Sequence, residues 1–440
     1  MSQQRDPFSG LAALRPPRRR EIAVACDSQI ARGFTAEVPI GAERLAQILG
    51  AAPRRNRFGE HLGLRRWFSE QAGAAAPFDA PEGEIDLRIL RLIAPEASRE
   101  VADPRKWLFL DTETTGMAGG SGTYAFLVGI AWWDAGGLEV EQFFMREHSE
   151  EHSLLLELAE RMAERRVLVT FNGKSFDWPL LETRYRMTRN IKMPVPRAHL
   201  DFLHPARNLW RPRLGSVRLA KLEQHVLGWN RGTDVMSELI PSIYFDYLRG
   251  GSPEPLVPIF HHNQMDLRGL AALAARVLAL LAHPEEHGQD ALEIFGVSRI
   301  CERRGDVRAR DLYERSIAGE LPEAVNRKAR RSLALLAKRA GDRGRAAAIW
   351  AEMLGSSREG LEAYEQLAIH YERRARDRQK AAALTRQALA SLRAANRIGA
   401  IQPALYRRYR DNFQRRLARL EYKSQGRAAA PLSFDALLVD

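Results

Sequence analysis

The stretch WLFLDTETTG, residues 107–116, constrains this chain more than any other. Four apolar residues run straight into Asp111, Thr112 and Glu113. An apolar run of this kind is expected to end a buried strand. Side chains two apart on a strand share a face, so Asp111 and Glu113 must stand together. Two ionised carboxylates held side by side repel one another unless a cation lies between them. The fold therefore has to carry an acid pair at a strand end and supply its counter-charge.

The surrounding sequence, about 101–284, has a mixed α/β pattern. Further strands are expected at YAFLVGIAWW (124–133), LEVEQFFM (138–145) and VLVTFN (167–172), with Gly136-Gly137 as a hairpin signal. Helical spacing marks SLLLELAERMAE (153–164), FDWPLLETRYRM (176–187), RLAKLEQHVLG (218–228, with Gly228 as C-cap) and DLRGLAALAARVLALLAH (266–283). This alternation predicts a mixed sheet flanked by helices. Residues 1–100 form a basic, partly ordered N-terminal region without assignment. In it AERLAQILGA reads as a short helix, EGEIDLRILRL as a strand leading to the core, and APRRNRFGEHLGLRRWF as either a nucleic-acid contact or an amphipathic edge.

Beyond residue 285 the strand signals stop. Gly305-Asp306, Gly341-Asp342 and Arg376-Asp377 recur at about 35-residue intervals, each between two helical stretches. A period near 34 residues resembles the tetratricopeptide repeat, so an all-α, tetratricopeptide-like repeat domain is expected over 285–425, with 426–440 as a tail.

The net charge of +12 and pI near 10.0 favour a polyanionic partner, although Arg-rich helices account for much of the excess as solvated faces. Two distant cysteines, Cys26 and Cys301, argue against a disulfide framework and fit a reducing compartment. The start lacks a signal-peptide pattern, and no apolar run reaches the ~18 residues of a membrane span. A soluble, cytoplasmic protein with no membrane partner is expected.

Two more carboxylates stand where an α/β domain builds sites, at helix starts: Asp177 in FNGKSFDWPLL and Asp266 in HHNQMDL. Singly, each is equally well explained by the preference of acids for helix N-termini. Together, FLDTETTG, FNGKSFDWPLL and HHNQMDL resemble the three motifs of the DEDD superfamily of 3′–5′ exonucleases, which have a ribonuclease-H-like fold. Within it the chain is most similar to the YprB-like group, through GMAGGSGTYAFLVGIA, HLDFLHPARNLW and the repeats behind the nuclease domain. The resemblance covers about 101–284.

It implies a metal-dependent nuclease that hydrolyses phosphodiester bonds of nucleic acid, a 3′–5′ exonuclease with two Mg²⁺ or Mn²⁺ ions. Hard divalent ions take oxygen ligands and can clamp a phosphodiester in pairs. The expected metal ligands are Asp111, Glu113, Asp177 and Asp266, with Asp111 the bridge as the resemblance implies. For a general base the third motif offers His261, five residues before Asp266, and His262, four before it. The family's pairing of His with Asn favours His262, as does helix geometry if the last helix extends back through the motif.

The expected partner is nucleic acid with single-stranded ends, DNA or RNA, and the repeats are candidates for a protein partner. Lys174, Arg184, Arg207, Arg211 and Arg213 are possible phosphate contacts, and Trp178 and Trp210 possible base-stacking platforms, although core and solvated roles are commoner. Asp201 reads as a strand-end acid near the site or as part of a polar turn, the turn being preferred, and GMAGGSG as a crossover flanking the substrate. The competing readings are a weakly active or inactive nucleic-acid-binding module and a repeat-based scaffold.

Overall fold

The structure is a computed structural model that describes residues 40–69, 83–116, 122–134, 136–232, 234–288, 290–354 and 358–424. The basic run 15–20, Cys26, most of GMAGGSG and the tail fall outside the described residues.

The core is a mixed seven-stranded sheet in the order β1-β2-β5-β4-β3-β6-β7. Its strands are β1 (Ala52–Asn56), β2 (Gly59–Ser69), β3 (Trp107–Thr114), β4 (Ala125–Asp134), β5 (Gly137–Phe144), β6 (Val167–Thr170) and β7 (Ala198–Asp201). Pairing is antiparallel from β1 to β3 and parallel for β3-β6 and β6-β7. The mixed, helix-covered sheet expected from the sequence is present. It also reaches back before residue 101. The arginine- and aromatic-rich segment forms the β1-β2 edge hairpin, in which Arg54, Arg65 and Arg55 pair with Glu141, Glu139 and Glu60.

One expectation fails. EGEIDLRILRL is a helix, Leu87–Ile93, rather than a strand. The Asp86 side chain caps it by accepting from the Arg88 amide at 2.8 Å. Ile85, Ile89 and Leu92 recur at helical spacing and are buried in one core cluster. The alternation of charged and apolar residues that suggested a strand is thus the coincidence of two periods over a short window.

Both faces of the sheet are covered. Trp107 and Phe109 look toward a core built with the long helix Val257–Ala282, whereas Leu108 and Leu110 look toward a second core with the helix Glu151–Glu164. The long helix crosses β4 closely: a β-carbon on Gly129 would come within 2.1 Å of the Asn263 side chain. Glycine at 129 is what lets this helix lie so near the acid end of β3.

The C-terminal part is helical throughout its described residues. Helical pairs Ala291–Arg304 with Ala309–Ala318, Glu323–Arg339 with Arg343–Glu352, and Arg358–Arg373 with Arg378–Arg397 precede a last helix, Pro403–Ser424. Asp342 and Asp377 cap the second members of their pairs. Packing runs on past residue 285: Ile294, Val297, Ile300, Ala309 and Leu312 share a core cluster with Trp210 and Leu273. Among the described residues no helix is long and apolar enough to cross a membrane.

Candidate active site

Asp111 and Glu113 extend the face of β3 that begins with Trp107 and Phe109. A register shift against β4 falls at Glu113/Thr114, the kind of bulge that re-aims side chains beside sites. Asp177 is the first residue of the helix Asp177–Thr188, and its Oδ1 accepts from the Thr112 hydroxyl at 2.6 Å. The loop before it is held by Asp201. That carboxylate accepts from the amides of Asn172, at 2.8 Å, and Leu203, at 3.0 Å, on Oδ1, and from the Lys174 amide, at 3.2 Å, on Oδ2.

Asp266 lies inside the long helix, nine residues after its start at Val257, because that helix runs back through the whole HHNQMD segment. His262 and Asp266 therefore share a face, with His262 Nε2 3.5 Å from Asp266 Oδ2. His261 is exposed on another face. His262 Nδ1 meets Asp234 Oδ1 at 2.8 Å. Asn263, fully buried, donates from Nδ2 to Asp111 Oδ2 at 2.8 Å, and Gln142 donates to Asn263 Oδ1 at 2.7 Å. Gln264 in turn donates to Gln142 Oε1 at 2.7 Å.

The acids act on one another. Burial pushes the Asp111 carboxyl well above the usual range, and the charges of Asp266, Glu113 and Asp177 push it further against the opposing Asn263 hydrogen bond. Burial raises Glu113 to about 8, with His262 opposing and Asp266 and Asp177 adding. Asp177 is raised to about 6, again by burial, and the Thr112 hydrogen bond limits the rise. Burial works against the proton on His262, but Asp266, Glu113 and Asp234 outweigh it and hold the imidazole above its usual pKa. Among the described residues, the trio of possible ligands whose atoms close to within 4.8 Å of one another is the exposed His283, Glu285 and Glu286. No three of the four acids around β3 close to that distance. All-oxygen donors suit a hard divalent ion, which would displace the protons held at raised pKa on Asp111, Glu113 and Asp177.

Several residues singled out in the sequence lie elsewhere. Arg184 is buried in a bidentate pair with Glu151, with Nη2 2.6 Å from Oε2, and offers nothing to a phosphate. Trp210 is a core residue whose indole donates to Glu293 Oε1 at 2.8 Å. Arg213 pairs with Asp290 at 3.0 Å. Trp178 is partly exposed one residue after Asp177 and donates to Glu182, while Lys174, Arg207 and Arg211 are exposed. The sequence reading missed Asn263, Gln142, Asp234, Arg231 and Glu223. Asn263 sits within the third motif itself; Arg231 and Asp234 lie in a segment, WNRGTDV, with no periodic or motif signal.

A family model of the RNase_H superfamily matches residues 108–278. The YprB protein of Bacillus subtilis (strain 168), itself uncharacterized, is 30% identical over 290 residues, 64% of this chain and 68% of that protein. A slighter likeness, at a TM-score of 0.33 and 16% identity, is to the family B DNA polymerase of the hyperthermophilic archaeon Pyrobaculum calidifontis. It covers 46% of this chain and 29% of the polymerase.

Proposed function

The chain belongs to the YprB-like family of ribonuclease-H-like proteins, and on that premise we propose that it is a metal-dependent nuclease of the DEDD type. It would hydrolyse phosphodiester bonds of single-stranded nucleic-acid ends in the 3′–5′ direction. The observation that carries the reading is the convergence of four carboxylates from three elements. Asp111 and Glu113 come from β3, Asp177 from a helix start and Asp266 from the long helix, close enough that the charges of Asp177 and Asp266 raise both Asp111 and Glu113.

Asp111, Glu113, Asp177 and Asp266 would hold Mg²⁺ or Mn²⁺. When bound, a pair of such ions lowers the pKa of an attacking water and stabilises the leaving oxygen. The chain's own residues do the rest. Asp234 accepts a hydrogen bond from His262 Nδ1–H, which leaves Nε2 as the nitrogen that accepts a proton from the attacking water. Asn263 fixes one oxygen of Asp111, and Thr112 one oxygen of Asp177, so the ligands need little reordering. Lys174 and Trp178, beside Asp177 and accessible to solvent, suit contacts with a phosphate and a base. The paired helices behind the sheet are read as tetratricopeptide-like repeats that bind a protein partner.

The test is purified full-length protein with 5′-end-labelled single-stranded DNA and RNA, with and without Mn²⁺. A ladder shortening from the 3′ end, abolished by EDTA and restored by Mn²⁺, is the expected result. Hydrolysis that persists in excess EDTA, or none of either polymer with Mn²⁺ present, overturns the reading.

A further inference from the structure

Arg231 is enclosed by three carboxylates, with only 7% of its side chain exposed. Its Nε and Nη2 pair with Glu223, its Nη1 with Asp234 at 3.2 Å, and its Nη2 also with Asp266 Oδ1. Glu223 is the anchor. It is fully buried at the head of a five-residue π turn, Glu223–Leu227, a local form frequent at functional sites. It rests against the long helix at Gly269, where a β-carbon would lie 1.8 Å from its Oε1. The guanidinium is therefore locked on the acid that closes the set, and it is tied through Asp234 to His262.

A covalently held cation on Asp266 changes what free ions the site can take. One oxygen of Asp266 is committed to Arg231, and the other faces His262. A second divalent ion would meet a fixed positive charge as well as an occupied ligand. Among the described residues, Asp111, Glu113 and Asp177 form no ion pair with an arginine or lysine; Asp111 accepts from the Asn263 side chain and Asp177 from the Thr112 hydroxyl.

We propose that Arg231 stands in for one of the two divalent ions in the protein without nucleic acid, so that the free protein holds a single ion. The inference rests on the nuclease reading above and adds to it an internal counter-ion that keeps the second position closed until substrate arrives.

The test counts ions. Full-length protein, stripped with EDTA and desalted, is titrated with Mn²⁺ by calorimetry, and free Mn²⁺ is read by its electron paramagnetic resonance signal. One site per chain is expected. Glu223→Gln/Arg231→Gln removes the buried acid together with its partner, so neither is left unpaired. It should show a second site, at least ~10-fold tighter than any second, weaker site in the parent. Arg231→Lys, which keeps the charge, should keep the count at one. Asp111→Asn should abolish the first site. Two sites of similar affinity in the parent, or no added site in a folded double variant, overturn the role of Arg231 and leave the nuclease reading standing. No Mn²⁺ binding by the parent overturns both. Should the double variant not fold, the parent count and Arg231→Lys decide.

Discussion

Asn263 Nδ2 lies 2.8 Å from Asp111 Oδ2 and 3.3 Å from the Asp111 carbonyl oxygen, so the helix that carries Asp266 also grips the central acid of β3. The amide is itself oriented by Gln142, which donates to Asn263 Oδ1 at 2.7 Å and to the Phe260 carbonyl at 3.0 Å. An acid with raised pKa gains a donor that favours its ionised form, and its rotamer is set before any metal arrives. Asn263→Ala should weaken Mn²⁺ binding by roughly 10–100-fold. Gln142→Leu should have a smaller effect in the same direction. Calorimetric titration checks both, and an unchanged affinity in Asn263→Ala would show that Asp111 needs no such support.

The raised pKa values also set the pH dependence of the metal-free protein. A carboxyl whose folded pKa lies above its unfolded value gives stability that is present at low pH and lost as pH rises through the folded value. That window is roughly 4.5 to 8 for Glu113 and 3.8 to 6 for Asp177. His262, also raised, has the same sign. The melting temperature in EDTA should therefore fall between pH 5 and pH 8. Mg²⁺ or Mn²⁺ should recover on the order of 5 °C at pH 8, and much less at pH 5, where the ligands hold protons. A melting temperature in EDTA that rises from pH 5 to pH 8 would mean that these acids are ionised and relieved in the apo fold.

The two histidines differ in what surrounds them. His262 faces Asp266 and Asp234 on the site side of the long helix, and His261 is exposed. His262→Ala should lower turnover by roughly 10²–10⁴-fold with Mn²⁺ affinity little changed. His261→Ala should cost far less. Asp234→Asn removes an acceptor that favours the imidazolium, so the His262 ring should titrate at lower pH in an NMR titration of the metal-free variant. The reverse order of the two alanine variants would move the base to His261.

How much of this was legible in the sequence depended on whether a local pattern carried it. The strand under Asp111 and Glu113 was legible, because a buried strand end with two acids admits few placements. The reach of the last helix was not fixed by its apolar period, which is clear only from Asp266 on; Val257 and Pro258 begin it a full motif earlier. Asp234 and Arg231 were invisible, since they lie in a segment without periodicity, and their role comes from contacts 28 to 35 residues away. The misread strand near residue 87 shows the opposite failure, a local alternation overruled by an Asp cap and by burial of every third or fourth residue. Arg184 and Trp210 could by type have been substrate contacts or ordinary core and surface residues, and only the long-range partners Glu151 and Glu293 decide for the latter.

The last prediction concerns where the chain can be cut. The first helical pair behind the sheet contributes Ile294, Val297, Ile300, Cys301, Ala309 and Leu312 to the core that also holds Leu209, Trp210 and Val277. The Trp210 indole needs Glu293 as its acceptor, and Arg276 also pairs with that carboxylate at 3.4 Å. Each large apolar side chain in that set is worth about 1.5–3 kcal/mol when buried. A chain ending at residue 284 would strip this cover and leave a buried indole N–H without its partner. The next pairs pack mainly on their own core, around Leu333, Trp350, Leu361 and Leu389. A chain ending at residue 321 should stay soluble and melt in a single transition, and one ending at 284 should aggregate or lose that transition. Size-exclusion chromatography and thermal melts decide. A fragment ending at 284 that melts like the longer one would show that the first pair is dispensable to the sheet domain.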